Sequence, residues 1–229
     1  MTAGLVPASE LLRPEWLAER IADMGISWGT SDSRVAGTLW WCMAASSLVT
    51  PIVTAYATGA PAPAADLAHL ACEIRPDGGV ERVLPLRDTD LPIPDEVTEP
   101  LVGLPLDAAA DTSHVDSAGH ALRHTLSQVI PVVAEVSGAG VAALWAIVAD
   151  AIGNRALDAG AQEAGARLAR DVAGRLPVPR FTDIGPRTFV RRISCCLVFE
   201  VPGCEMCTSC PKRPAAQREA LLTELAARG

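Results

Sequence analysis

Five of the seven cysteines in this chain fall within sixteen residues near its C-terminal end: Cys195, Cys196, Cys204, Cys207 and Cys210. Thiolates are soft ligands, and four of them brought to one place suit zinc or an iron–sulfur cluster. Two ligand sets can be read from the spacing. In one, the adjacent pair Cys195 and Cys196 is followed after ten residues by Cys207, two further residues and Cys210. In the other, Cys204, Cys207 and Cys210 repeat at the interval that opens a bacterial ferredoxin run. The fourth cysteine of such a run would fall at Pro214, so that set has to borrow Cys195 or Cys196. The first set supplies four thiolates without borrowing. Cys42 and Cys72 stand alone in apolar stretches and read as small buried hydrophobes.

The first spacing is similar to the signature of the FhuF family of ferric-siderophore reductases. It stands here as Arg191-Arg192-Ile193-Ser194-Cys195-Cys196-Leu197-Val198-Phe199, then Pro202-Gly203, then Cys207-Thr208-Ser209-Cys210-Pro211. The likeness is close over the last forty or so residues. It is loose upstream, around Arg34 to Val49 and at Leu144-Trp145. Cys204 departs from the pattern, as a spare thiol or an exchangeable ligand. The resemblance implies that Cys195, Cys196, Cys207 and Cys210 hold a [2Fe–2S] cluster. It further implies an oxidoreductase that passes one electron to a cytoplasmic ferric siderophore and so releases ferrous iron. The electron would come from a ferredoxin or a flavin reductase. Arg191 and Arg192 would either orient an anionic chelate or simply flank the strand at the surface, and Trp40, Trp41 and Trp145 would line the chelate's surface, although tryptophans in apolar helices usually belong to the core.

A structural zinc module, or an iron–sulfur module for sensing or interaction, is the alternative from a different class. A zinc site would favour paired CxxC knuckles, which only Cys204, Cys207 and Cys210 offer. A sensor would carry a basic helix-turn-helix, and none is recognisable. Extracellular disulfides are disfavoured by the odd cysteine count and by an N-terminal stretch without a basic region and apolar core. The expected location is therefore the cytoplasm. Between Arg180 and Arg213 the net charge is +3 in a chain of net −8, which would stabilise an anionic cluster. The contrast is tempered by Lys212, the only lysine, which indicates a chain-wide preference for arginine.

At 229 residues the chain can bury a substantial core. Its acidic balance and lack of a basic tract exclude a nucleic-acid partner. The uncharged stretch 35–65 reaches the length of a membrane span, but Pro51, Gly59, Pro61 and Pro63 divide it. A buried core helix is expected there, leaving at most a weak membrane association.

The elements that position the cysteines are mainly helical. Periodicity predicts helices at 9–24, 32–49, 114–136, 141–157, 161–176 and 215–228, with Asp32 or Ser33 capping the second. Residues 69–74 and 80–86 predict a β-hairpin about Asp77-Gly78. Residues 87–111, rich in Pro and Asp, read as a loop, and 188–201 alternates like a strand carrying the first cysteine pair. The expected class is mainly α (α+β): a helical body at 1–186 and a cluster-binding segment at 187–229. Two motifs are discounted. Gly138-Ala139-Gly140-Val141-Ala142-Ala143 fits a dinucleotide fingerprint but sits between helical patterns, so a helix–helix turn is expected. His120 and His124 have metal-pair spacing on one helix face but no third ligand nearby.

Overall fold

In the computed structural model, which describes residues 4–86 and 118–228, helices dominate and two small antiparallel sheets accompany them. In chain order the elements are β1 (Gly4–Pro7), α1 (Pro14–Trp28), α2 (Ser33–Thr58), β2 (Leu70–Ile74), β3 (Val80–Pro85), α3 (Ala118–Ser137), α4 (Val141–Asp158), α5 (Gln162–Val172), β4 (Phe181–Ile184), β5 (Arg187–Val190) and α6 (Ala215–Ala227). The loop expected at 87–111, and the first turn expected of the helix at 114–136, lie outside the described residues.

Helix α2 is central and packs against α1, α3, α4, α5 and β3. It is apolar on all sides because it is enclosed on most of them. Among the described residues it is the one helix long and apolar enough to cross a membrane, yet 67% of its most apolar window is buried inside the protein. Asp32 caps it, accepting from the N–H groups of Arg34 (2.9 Å) and Val35 (3.1 Å). The expected end near Val49 is corrected: the helix runs through Pro51 to Thr58 and stops at Gly59 in the left-handed region (φ 73°). A mid-helix proline costs roughly 3 kcal/mol. Burying Ile52 and Val53 beyond it returns about 1.5–3 kcal/mol each, so packing outweighs the break. Thr50, Thr54 and Thr58 donate their hydroxyls back to the carbonyls of Ser46, Thr50 and Thr54.

Trp40 and Trp41 are fully buried and Trp145 nearly so, which makes them core rather than a ligand surface. The indole of Trp40 donates to the Gly78 carbonyl (2.9 Å) and that of Trp41 to the Leu144 carbonyl (3.0 Å). The first tie holds the hairpin on α2, and the second holds α4 there. The hairpin forms as expected, with β2 opposite β3 and Cys72 facing Val83. Gly78 takes φ 81° in its turn, where an added Cβ would fall 2.3 Å from the Arg20 carbonyl oxygen. The sequence pattern missed β1, a short N-terminal strand that pairs with β2 on its other edge.

The first helix begins at Pro14 rather than residue 9, after a 3-10 turn at Ala8–Leu12, since proline suits the first helical position. Helix α5 ends at Val172 rather than 176, because Ala173 and Gly174 both adopt positive φ. Gly138-Ala139-Gly140 is the turn between α3 and α4, with Gly138 at φ 75°.

Candidate metal centre

The strand expected over 188–201 ends at Val190. Residues Arg187–Val190 pair with Phe181–Ile184, and the Arg191 N–H adds one bond to the Arg180 carbonyl (2.8 Å). Gly153 lets this hairpin approach α4, since a Cβ there would meet Val190 at 3.2 Å. Beyond it the backbone turns toward a buried carboxylate. Asp150 of α4, its side chain 6% exposed, accepts from the N–H of Ile193 (3.1 and 3.2 Å), the N–H of Ser194 (2.9 Å) and the Ser194 hydroxyl (2.5 Å). N–H groups spent on a carboxylate cannot continue a ladder, so the cysteine pair lies in irregular backbone.

Leu197 follows the pair at φ 62°, an uncommon conformation for a branched residue that costs of order 1–3 kcal/mol. Its side chain is buried in the same core as the helical body. The bend aims successive N–H groups at sulfur: that of Leu197 at Cys195 and that of Val198 at Cys196. Such a nest of N–H groups stabilises negative charge. A 3-10 turn at Val198–Glu200 and a turn at Pro202-Gly203 return the chain to Cys207 and Cys210. There the Arg213 guanidinium donates to the carbonyls of Met206 and Cys207, and Arg218 of α6 reaches those of Cys210 and Arg213.

The four sulfurs of the Cys-Cys and CxxC motifs meet in twos. Cys195 Sγ lies 3.8 Å from Cys210 Sγ, and the Cys207 thiol hydrogen-bonds the Cys196 sulfur. That bond lowers the Cys196 thiol to about 5 against the opposing effect of burial, with help from the Val198 N–H and the Arg192 charge. Donation to Cys196 and burial push Cys207 upward, and burial raises Cys195. Among the described residues no three His, Cys, Asp or Glu side chains close around one ion position.

Arg192 joins the two halves. It lies 3.5 Å from Asp150 and donates to Cys207 Sγ at 3.5 Å. Burial opposes its charge, but the neighbouring Cys196 and Asp150 charges, with Cys207 and Cys42 beside them, outweigh this and raise its pKa. Its Nε is buried without a hydrogen-bond partner. Arg192 is therefore committed to the cysteines. Arg191 is exposed.

Cys72 is a fully buried hydrophobe, as expected, and burial pushes its thiol up to about 12. Cys42 is corrected. It is only partly buried, and it borders the same cavity as Cys196 and Arg192. Its thiol is raised to about 12, first by burial and then by the charge on Cys196. Cys204 packs against the core. His120 and His124 are both exposed on α3. Sequence reasoning missed Asp150, Cys42 and the strained Leu197. For Asp150 the available signal was a lone acid in the apolar run Ala146-Ile147-Val148-Ala149-Asp150-Ala151-Ile152.

The donor set fits a polynuclear iron–sulfur group: soft sulfurs in two pairs, one already favouring the thiolate, with N–H donors and a guanidinium against them. Residues 192–212 match the family model described as the FhuF 2Fe-2S C-terminal domain, a span that contains both pairs and Cys204. No curated protein and no solved structure matches the chain.

Proposed function

We propose that Cys195, Cys196, Cys207 and Cys210 hold a [2Fe–2S] cluster, and that the protein is a cytoplasmic ferric-siderophore reductase. The observation that carries the reading is the sulfur pairing, one cysteine of each pair from the vicinal motif and one from CxxC. Two thiolates for each iron is what an all-cysteine two-iron cluster requires. When bound, such a cluster supplies a one-electron relay.

The chain's own residues hold and tune that site. Asp150 fixes the backbone of Ile193 and Ser194, and thereby the direction of the cysteine pair. The N–H groups of Leu197 and Val198 and the Arg192 guanidinium stabilise negative sulfur. Arg213 and Arg218 brace the CxxC turn through its carbonyls. No acid–base residue is required by the redox balance. A ferredoxin or flavin reductase loses one electron, and chelated Fe(III) gains it to become Fe(II). Hard oxygen donors hold Fe(II) far more weakly than Fe(III), so the metal can pass to a ferrous acceptor.

The test is anaerobic purification with iron and sulfide counted, followed by absorption and EPR spectra before and after dithionite. Two irons and two sulfides per chain, EPR-silent when oxidised and S = 1/2 when reduced, are expected. Serine at any of the four positions should abolish the signal, whereas Cys204→Ser and Cys72→Ser should retain it. Reduction of a ferric siderophore is then followed by trapping Fe(II) with a ferrous-specific chelator. A colourless protein that holds one zinc after reconstitution with iron and sulfide would refute the reading and leave a structural module.

A further inference from the structure

Beside the Cys196 sulfur opens a cavity of about 210 Å³ whose walls include Cys42, Ser46, Asn154, Arg155 and Arg192. A second space of about 400 Å³ shares Ser46 and Arg155 with it and continues along β3 past Glu81 and Arg82. Together they form a groove between α2, α4 and β3 within the roughly 300–1,000 Å³ usual for small-molecule sites. Its outer wall is solvent-exposed at Thr50, Arg82 and Asn154.

The end nearest the sulfur is lined by Ser46, Asn154 and the guanidinium groups of Arg155 and Arg192. Asp150, the one carboxylate there, is already engaged by Ile193, Ser194 and Arg192. The Ser46 hydroxyl and the exposed Asn154 amide can each donate or accept. Arg155 keeps its Nε buried and unpartnered. Its ion pair with Asp158 (2.9 Å) is largely exposed, and such pairs contribute little. The buried Arg155 Nε can only donate and favours a ligand that brings acceptors, and two guanidinium groups disfavour a cation.

We infer that this groove is the docking site for the ferric chelate, seated with its outer oxygens on Asn154, Ser46 and Arg155 and in contact with the Cys196 side of the cysteine centre. The inference rests on the reductase reading above. The recognised chemistry is an oxygen-donor tris-chelate of a trivalent ion, catecholate or hydroxamate.

Gallium(III) matches ferric iron in charge and size but is not reduced, so binding can be measured apart from turnover. The purified full-length protein with its cluster is titrated with a gallium(III) tripodal tris-catecholate and, separately, with a gallium(III) trihydroxamate. Tryptophan fluorescence or calorimetry follows binding. Asn154→Trp fills the groove from an exposed helical position, and Arg155→Glu reverses its charge. Both variants are expected to lose at least tenfold in gallium-chelate affinity and a similar factor in kcat/KM for the matching ferric chelate. Their EPR spectra and reduction by dithionite should stay unchanged. The complex that binds wild-type protein more tightly identifies the donor type. Wild-type affinity within twofold in both variants, or no binding of either gallium complex to the wild type, overturns the site. If the wild type binds gallium chelates but reduces no ferric one, the reductase reading fails and the groove stands. If the variants reduce ferric chelates at wild-type rates, the groove fails and the reductase stands.

Discussion

Asp150→Ala should remove more stability than its single carboxylate suggests, and should do so in cluster-free protein. The wild-type side chain is 6% exposed, faces Arg192 at 3.5 Å, and accepts from two backbone N–H groups and the Ser194 hydroxyl. Alanine removes one of the counter-charges of Arg192, whose side chain is 17% exposed, and leaves the Cys196 sulfur as another. Breaking a buried pair in this way costs about 3–5 kcal/mol. The orphaned N–H groups would add roughly 1–3 kcal/mol each if they stayed dry. Water can enter from the adjoining cavity, so the expected total is about 3–5 kcal/mol rather than their sum. Asp150→Asn keeps one acceptor oxygen and should lose about 1–3 kcal/mol. Against a total stability of roughly 5–15 kcal/mol, these losses are large. Urea unfolding of the reduced apoprotein, followed by tryptophan fluorescence, measures them. In the reconstituted protein, Asn should also raise the reduction potential, because it removes a negative charge near the sulfurs while the Arg192 charge stays beside Cys207. A loss below about 1 kcal/mol in the alanine variant, with full cluster content, would refute the claim that Asp150 shapes the cysteine backbone.

Three further outcomes follow from the packing. Trp41→Phe removes the buried donor to the Leu144 carbonyl and should cost about 1–2 kcal/mol in unfolding, with ferric-chelate affinity unchanged. A selective loss of that affinity at unchanged stability would return the tryptophan to a ligand surface. Gly37→Ala places a Cβ 2.2 Å from that of Ser137, where α2 crosses α3, so a net loss of about 1–3 kcal/mol is expected, and Ser137→Gly should recover part of it. Neutral or improved stability would show that the helices separate freely. Tyr56, the only tyrosine, is raised to about 12 by burial and by donating its hydroxyl to Asp171 (2.8 Å). Its phenol is held protonated in the folded state, so that stabilisation is full below the unfolded value near 10 and is lost as pH rises through about 12. Tyrosinate absorbance should titrate near 12 in folded protein and near 10 in urea, and coincident midpoints would contradict the contact.

What the sequence made legible was mostly local. The Asp32 cap, the hairpin about Gly78, the Gly138-Ala139-Gly140 turn and the closing helix follow from residue types whose backbone preferences act within a few positions. Where tertiary packing competes with a local rule, the local rule fails. Pro51 reads as a stop, yet the buried residues beyond it carry α2 onward. Strand β1 has only four residues and exists because β2 offers an edge.

The same contrast runs through the cysteine centre. The four cysteines are visible in the sequence because coordination chemistry constrains residue type and spacing directly. Their setting is not, because it is assembled from separate helices. Asp150, forty-odd residues upstream of Cys195 on the apolar helix α4, draws the N–H groups of Ile193 and Ser194 out of any ladder. With those groups committed, the chain must bend before the vicinal pair, and Leu197 takes the positive φ that brings its own N–H and that of Val198 against sulfur. An alternating pattern from 188 to 201 predicts a strand because it records only which side chains are apolar. It carries no information about where the backbone hydrogen bonds go, and that partition decides whether two adjacent cysteines point to opposite faces of a sheet or toward two different partners. Here each finds one residue of the CxxC turn, so the irregular backbone is what allows neighbouring cysteines to serve one site.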